Sequence, residues 1–291
     1  MSHSYRDLFV SAGDGLRLYA RDYGPETGGG LPVICLPGLA RNSEDFHGLA
    51  EALSRDPLTP RRVLALDYRG RGRSDWDKDW HHYDLKIELD DCLKVLAAAG
   101  IGKAVFVGTS RGGLITMALG AAHPELLAGA VLNDIGPVIE ARGLLRIRSY
   151  VGKLPTPQTL QEGADILRRM SGEQFPAFTD EQWRRLARGT WHETAEGLAL
   201  SYDSSLIKTL EALDPEAPLP DLWPLFERLK PVPLLVIRGG MSDLLSDETL
   251  RLMAERHPGL TAIRVPGQGH APALDGDLLQ TIARFAAGID T

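Results

Sequence analysis

The sequence predicts an α/β fold: an eight-stranded, mostly parallel sheet with helices on both faces and a helical cap inserted between two of its strands. Three observations carry that expectation. Short apolar runs rich in β-branched residues alternate along the chain with longer helical patterns, as βαβ units require. One interval of about 100 residues has no such rhythm, far longer than an ordinary connection. The 291 residues are 43% hydrophobic and 24% charged. That is a globular balance, with enough apolar surface to offset the entropy of ordering.

The first two strands, Asp7 to Ser11 and Leu16 to Tyr23, flank Gly13-Asp14-Gly15 and read as an antiparallel hairpin. Six more runs follow: Pro32 to Leu36, Arg62 to Leu66, Ala104 to Val107, Ala128 to Leu132, Pro233 to Ile237 and Thr261 to Val265. All six are strongly apolar, as expected of strands covered on both faces. Helical patterns fit between them at Asp84 to Ala99, Gly112 to Ala122, Asp247 to Arg256 and Asp277 to Ala287. The long interval holds two more, Thr159 to Met170 and Asp180 to Arg188, among Pro155, Pro157, Pro176, Pro215, Pro218, Pro220 and Pro224. The expected organisation is a core of residues 1–136 and 225–291 with a cap of 137–224.

Composition excludes several classes of function. No apolar run reaches the roughly 18 to 20 residues that cross a bilayer. The net charge of −7 argues against nucleic acid, which needs a concentrated basic face. The arginine runs Arg69, Arg71, Arg73 and Arg142, Arg146, Arg148 read as solvated or ion-paired surface. Cys35 and Cys92 are too few for a disulfide framework or a four-ligand zinc site, and no metal is expected. Met1 to Val10 carries charge and no apolar core, so the expected location is cytoplasmic. The expected partner is a small molecule, with the oligomeric state open.

The strongest chemical signal is Gly108-Thr109-Ser110-Arg111-Gly112, a Gly-x-Ser-x-Gly set directly between a strand and a helix. A serine on that turn is strained and tolerates only small neighbours, which Gly108 and Gly112 supply. Its hydroxyl needs a base, and the base an orienting acid. His270 follows the last strand, at the carboxyl edge of the sheet where ligands gather. Asp243, after the preceding strand, gives the chain order Ser, Asp, His and is favoured as the acid. Asp134, at the tip of the strand after the serine, is the alternative. The backbone N–H of Arg111 and that of Leu39, in Pro37-Gly38-Leu39, are the candidate oxyanion donors.

With these motifs the chain resembles the α/β-hydrolase superfamily over essentially its whole length. Pro37-Gly38-Leu39 is similar to the family's oxyanion turn, and Asp67-Tyr68-Arg69-Gly70-Arg71-Gly72-Arg73-Ser74 to the loop after its fourth strand. The resemblance implies that Ser110, Asp243 and His270 form the triad, with Asp134 at the acid position some members use. It implies a serine hydrolase of small esters or lactones, for which no cofactor is expected; members that use an aspartate nucleophile do not fit Ser110. C–C hydrolysis of ring-cleavage products and ligand binding without turnover stay open. Arg111 departs from the small or apolar residue common after the nucleophile and adds positive charge, toward either an anionic substrate or a salt bridge. Leu39, Met241 and Trp191 are expected to line the pocket.

Overall fold

Alternate residues of each central strand enter two different apolar clusters, and this alternation builds the molecule's layers. The computed structural model describes residues 4–27, 29–212 and 219–290. In it β3 (Val33–Leu36), β4 (Val63–Asp67) and β5 (Ala104–Thr109) are fully buried through nearly their whole length. Ile34, Leu64 and Phe106 face one cluster, while Cys35, Ala65 and Val105 face the other, as the two-residue period of a strand dictates. Helices α2 (Leu85–Ala98) and α3 (Arg111–Ala122) close the first face; α1 (His47–Ser54) and α10 (Gly276–Ile289) close the second.

The sheet also contains β1 (Tyr5–Ser11), β2 (Arg17–Tyr23), β6 (Leu127–Asn133), β9 (Leu234–Gly239) and β10 (Leu260–Val265). Its order is β1-β2-β4-β3-β5-β6-β9-β10, antiparallel at β1/β2 and β2/β4 and parallel elsewhere. This is the expected eight-stranded, mostly parallel sheet. One expectation needs correction: β10 is not covered on both faces, for each of its residues is half-buried or exposed. It is an edge strand paired to β9 alone, so burial on its outer side is lost. Helix α9 (Asp247–Arg256) connects these last two strands, its N-terminus capped by the Ser246 hydroxyl, a residue type suited to that position.

Between β6 and β9 lie α4 (Ala141–Tyr150), α5 (Leu160–Ser171), α6 (Asp180–Thr190), the hairpin β7 (Trp191–Thr194) with β8 (Gly197–Leu200), α7 (Ile207–Glu211) and α8 (Trp223–Phe226). Thr159 caps α5, and Thr179 with Gln182 forms a reciprocal capping box on α6, which satisfies two orphan donors at once. The expected Pro215 and Pro218 lie outside the described residues. Trp183, Trp191, Phe175, Ile166 and Leu167 pack into a third apolar cluster belonging to this segment alone. Both ends of α6 are tied to the sheet domain. At its start Gln182 donates to Asp275 at 3.2 Å and Arg185 pairs with the same carboxylate at 3.1 Å. At its end Arg41 donates to Thr190 Oγ1 at 2.6 Å, and Asn42 to the Gly189 carbonyl at 2.8 Å.

Candidate active site

The turn from β5 into α3 is crowded to the point that its residue types follow from space alone. A Cβ on Gly108 would lie 2.5 Å from the Gly112 carbonyl carbon, and one on Gly112 would strike the Leu36 carbonyl oxygen. Ser110 between them has φ 51°, in the left-handed region that costs a non-glycine residue energy. It stands at the N-cap position of α3 but makes no side-chain cap bond. Its hydroxyl is instead turned to His270, whose Nε2 lies 2.9 Å from Ser110 Oγ.

His270 Nδ1 lies 2.7 Å from Asp134 Oδ2. An ionised carboxylate only accepts, so Nδ1 carries the proton and Nε2 is left to accept from Ser110. Asp134 is fully buried, directly after β6, with φ 58°. Its Oδ1 accepts from the Gly239 N–H at 2.7 Å and its Oδ2 from the Ser242 hydroxyl at 2.6 Å. The result is a continuous hydrogen-bonded line from acid to base to hydroxyl, which can draw a proton from the serine as it attacks.

The expectation that Asp243 faces His270 is corrected by this geometry. Asp243 Oδ1 accepts from Arg146 Nη2 at 2.8 Å and Asp243 Oδ2 from Arg146 Nε at 2.7 Å. This is a two-pronged pairing with α4, of the strong, directional kind. Burial pushes the Asp243 carboxyl up, but the hydrogen bonds and charge of Arg146 prevail and hold it below the ordinary carboxylate range, as an adjacent cation does. Strands β6 and β9 are neighbours, so both aspartates leave the same sheet edge; the fork of Arg146 takes one and leaves the other to the imidazole. Ser242 and the Gly239 N–H were not foreseen. Their only trace in the sequence is that they lie in Gly239-Gly240-Met241-Ser242-Asp243, beside the aspartate first favoured.

Leu39 lies on the turn after β3, where a Cβ on Gly38 would come within 3.8 Å of Ser110 Cβ. Its carbonyl accepts from Arg71 Nε at 2.7 Å. Arg111 opens α3, so its N–H is one of the four that a helix leaves without an internal partner. Its guanidinium turns away from the cavity, pairing with Glu88 and donating to the Tyr83 carbonyl at 2.9 Å. The charge that its position suggested for the pocket is therefore matched by a carboxylate within the protein. The reading of the arginines as solvated or ion-paired surface needs correction at two of them: Arg69 and Arg71 are ion-paired, with Asp91 and Glu88, but buried, whereas Arg73 is exposed and paired with Asp7.

Ser110 and His270 open on a cavity of about 210 Å³ between the sheet edge and the inserted helices. Leu39 is on its wall, with Phe46, Ile147, Leu167, Phe175 and Phe178. Met241 and Trp191, expected there, are not: Met241 is 46% exposed on the surface, and Trp191 is buried in the inserted segment's own core. Arg41, Arg146 and Arg185 also reach the cavity, each paired with an aspartate. Among the described residues, Asp14, Asp77 and His82 alone cluster at metal-ligating distance. Arg69 Nη1 already bridges their two carboxylates, at 2.8 Å from Asp14 and 2.9 Å from Asp77, which fits an ion-paired role and not a cation site. Both cysteines are buried and their thiols pushed up by desolvation, so neither is poised as a thiolate.

Comparison with known proteins agrees with this architecture. Residues 32–277 match the family model described as the alpha/beta hydrolase fold. The chain is 35% identical over 247 residues to the 3-hydroxybutyrate-oligomer hydrolase of Cupriavidus necator, covering 82% of each. It is 27% identical over 246 residues to the 2-(acetamidomethylene)succinate hydrolase of Mesorhizobium japonicum, covering 84% of this chain and 83% of that one. The crystal structure of an alpha/beta hydrolase from Novosphingobium aromaticivorans superposes with a TM-score of 0.90 at 40% identity, over 99% of both chains. Family model, relative and superposed structure lead to one conclusion: the chain belongs to the α/β-hydrolase fold family.

Proposed function

We propose that the protein is a cofactor-independent serine hydrolase that cleaves a small carboxylic ester through an acyl-enzyme on Ser110. The observation that carries this is the hydrogen-bonded line Asp134–His270–Ser110, opening on a largely apolar cavity. Ser110 Oγ attacks the ester carbonyl while His270 Nε2 takes its proton, and Asp134 stabilises the imidazolium. The N–H groups of Leu39 and Arg111 receive the developing oxyanion. The C–O bond to the alcohol breaks as His270 returns the proton to it. Water, deprotonated by the same imidazole, then releases the acid and restores Ser110.

The cavity and the relatives together support a substrate class. An apolar space of roughly 150 Å³ already admits a benzene ring. The cavity beside Ser110 is larger, at about 210 Å³. It suits an acyl group of a few carbons, and the arginines on its wall already hold internal carboxylates. Short esters of a hydroxy acid, the kind of linkage that joins 3-hydroxybutyrate units, meet those conditions. Residues 137–224 act in this reading as the cap that closes over them.

A fluorophosphonate probe tests the proposal. A mass increase confined to the Ser110 peptide, lost in Ser110→Ala, is expected. The folded protein's failure to label, or equal labelling of the variant, would remove it. Hydrolysis of 3-hydroxybutyrate oligomers, compared with short p-nitrophenyl esters, simple lactones and 2-(acetamidomethylene)succinate, then ranks the substrate classes.

A further inference from the structure

Behind the two candidate oxyanion donors lies a buried cluster that the reaction as described does not use. Glu88, on α2, has a side chain with no exposure to solvent. Its Oε1 accepts from Arg71 Nη1 at 2.6 Å, and its Oε2 is paired with Arg111 Nε. Both arginines direct further bonds to main-chain carbonyls. Arg71 donates from Nε to Leu39 and from Nη1 to Arg69, each at 2.7 Å, and Arg111 donates from Nη2 to Tyr83 at 2.9 Å.

Stability alone does not account for such an arrangement. A buried Arg–Glu–Arg cluster costs so much desolvation that well-packed apolar residues of similar volume commonly do as well or better. What apolar residues cannot do is hold a turn by its carbonyl at a fixed distance and direction. The two segments at the ends of this cluster are the Leu39 turn and the first residue of α3. These carry the two N–H groups that must meet the oxyanion, and a displacement of about 1 Å there can cost on the order of a hundredfold in rate.

We infer that Glu88 is a positioning residue for the oxyanion hole, tying the Leu39 turn and the Arg111 main chain to α2 through its two arginines. This rests on the reading of Ser110 as a nucleophile. Glu88 touches neither substrate nor triad and acts through Arg71 and Arg111. The Leu39 turn cannot be held by Arg71 in the same way once the carboxylate that orients that guanidinium is gone.

The test is Glu88→Gln, which keeps the shape of the side chain and removes its charge. On a short p-nitrophenyl ester, kcat is expected to fall roughly ten- to hundredfold while KM stays within about twofold. A trifluoromethyl ketone labelled with ¹³C at the carbonyl supplies a readout that simple loosening of the fold does not move. Ser110 adds to it to give a hemiketal whose oxygen occupies the hole. The pKa of that oxygen, read from its carbon shift, is expected to rise by about one unit, a tenfold loss of oxyanion stabilisation. A folded E88Q protein with unchanged kcat and hemiketal pKa overturns the inference. Should E88Q not fold, Arg111→Gln decides in its place, because it releases one arm at the partly exposed end and keeps the backbone N–H. Lowered kcat with a raised hemiketal pKa upholds the inference, and unchanged values overturn it. Parent protein that forms no hemiketal and takes up no fluorophosphonate would remove the nucleophile reading itself, and the inference with it.

Discussion

Three donors converge on the Asp134 carboxylate, His270 among them, and in the proposed reaction its task is to orient that imidazole. An asparagine there would present an amide N–H where the Gly239 N–H, the Ser242 hydroxyl or the His270 Nδ1–H now donates, so the imidazole would turn to the wrong tautomer. Asp134→Asn should therefore lower kcat by about 10³- to 10⁴-fold in a p-nitrophenyl ester assay. Asp243→Asn, which only weakens the hold of Arg146, should cost less than about tenfold; the opposite ranking would return the acid's role to Asp243. The glycines around Ser110 invite a stability test. Gly112→Ala forces a Cβ into the Leu36 carbonyl. It should cost roughly 2 to 4 kcal/mol, measured as a shift in urea midpoint. Ser110 and His270 are legible in the sequence because each has a local marker, a glycine-flanked turn and a place after the final strand. The acid is not, because two aspartates leave adjacent strand ends and only the position of Arg146, a residue on an inserted helix, separates them.

Helix α6 is one of the elements that join the inserted segment to the sheet, and its two ends are held differently. Arg41 and Asn42 bind the C-terminal end, where unpaired carbonyls and the helix dipole welcome a cation. The N-terminal end depends on Asp275, gripped by Gln182 and Arg185. Asp275→Ala should leave global stability nearly unchanged, within about 1 kcal/mol, because the Arg185 pair is partly solvated. Amide exchange over residues 180–186 should accelerate, as a locally opening unit would show in hydrogen-exchange mass spectrometry. Exchange that stays at the parent rate would mean the C-terminal anchors suffice. At this scale the strands are legible, since an apolar run in a parallel sheet needs no partner to identify it. Helices α5 and α6 are legible from their periodicity and caps. The hairpin of β7 and β8 is not: its strands are four residues long and only Trp191 is buried in the first, too little pattern to register.

Across the whole molecule the acidic net charge conceals an interior with several paired arginines. Asp243 and Asp290 are both held below the ordinary carboxylate range: burial pushes each up, and Arg146 or Arg61 more than offsets it. Asp14 is lowered chiefly by its hydrogen bond from Arg69. In the unfolded chain these groups titrate at about 3.9. Because their folded values lie lower, their stabilisation is complete above that pH and fades as the pH drops through the folded values. Urea midpoints should therefore hold level above about pH 5 and fall below about pH 4. Asp290→Asn should lower the midpoint at neutral pH and make that acid-side fall shallower. An unchanged slope on the acid side would mean that the Arg61 pair, which ties the end of α10 to the β3 and β4 edge, contributes nothing measurable. The arginine run reads as surface in the sequence, yet Arg69 and Arg71 are buried, for a simple reason. Charge pattern in sequence cannot reveal that Asp91 and Glu88, on a helix packed over the same loop, wait underneath to neutralise it.

Ser242 and Asp243 are consecutive, yet one holds the Asp134 carboxylate and the other holds α4. A movement of the inserted segment that draws Arg146 outward must be absorbed within a single peptide unit or passed to the Asp134 carboxylate. The cavity wall at Arg146 and the orientation of His270 are thus linked through adjacent residues. A strand end that supplies none of Ser110, His270 and Asp134 is the point where the inserted segment and the hydrogen-bonded line of the site are joined.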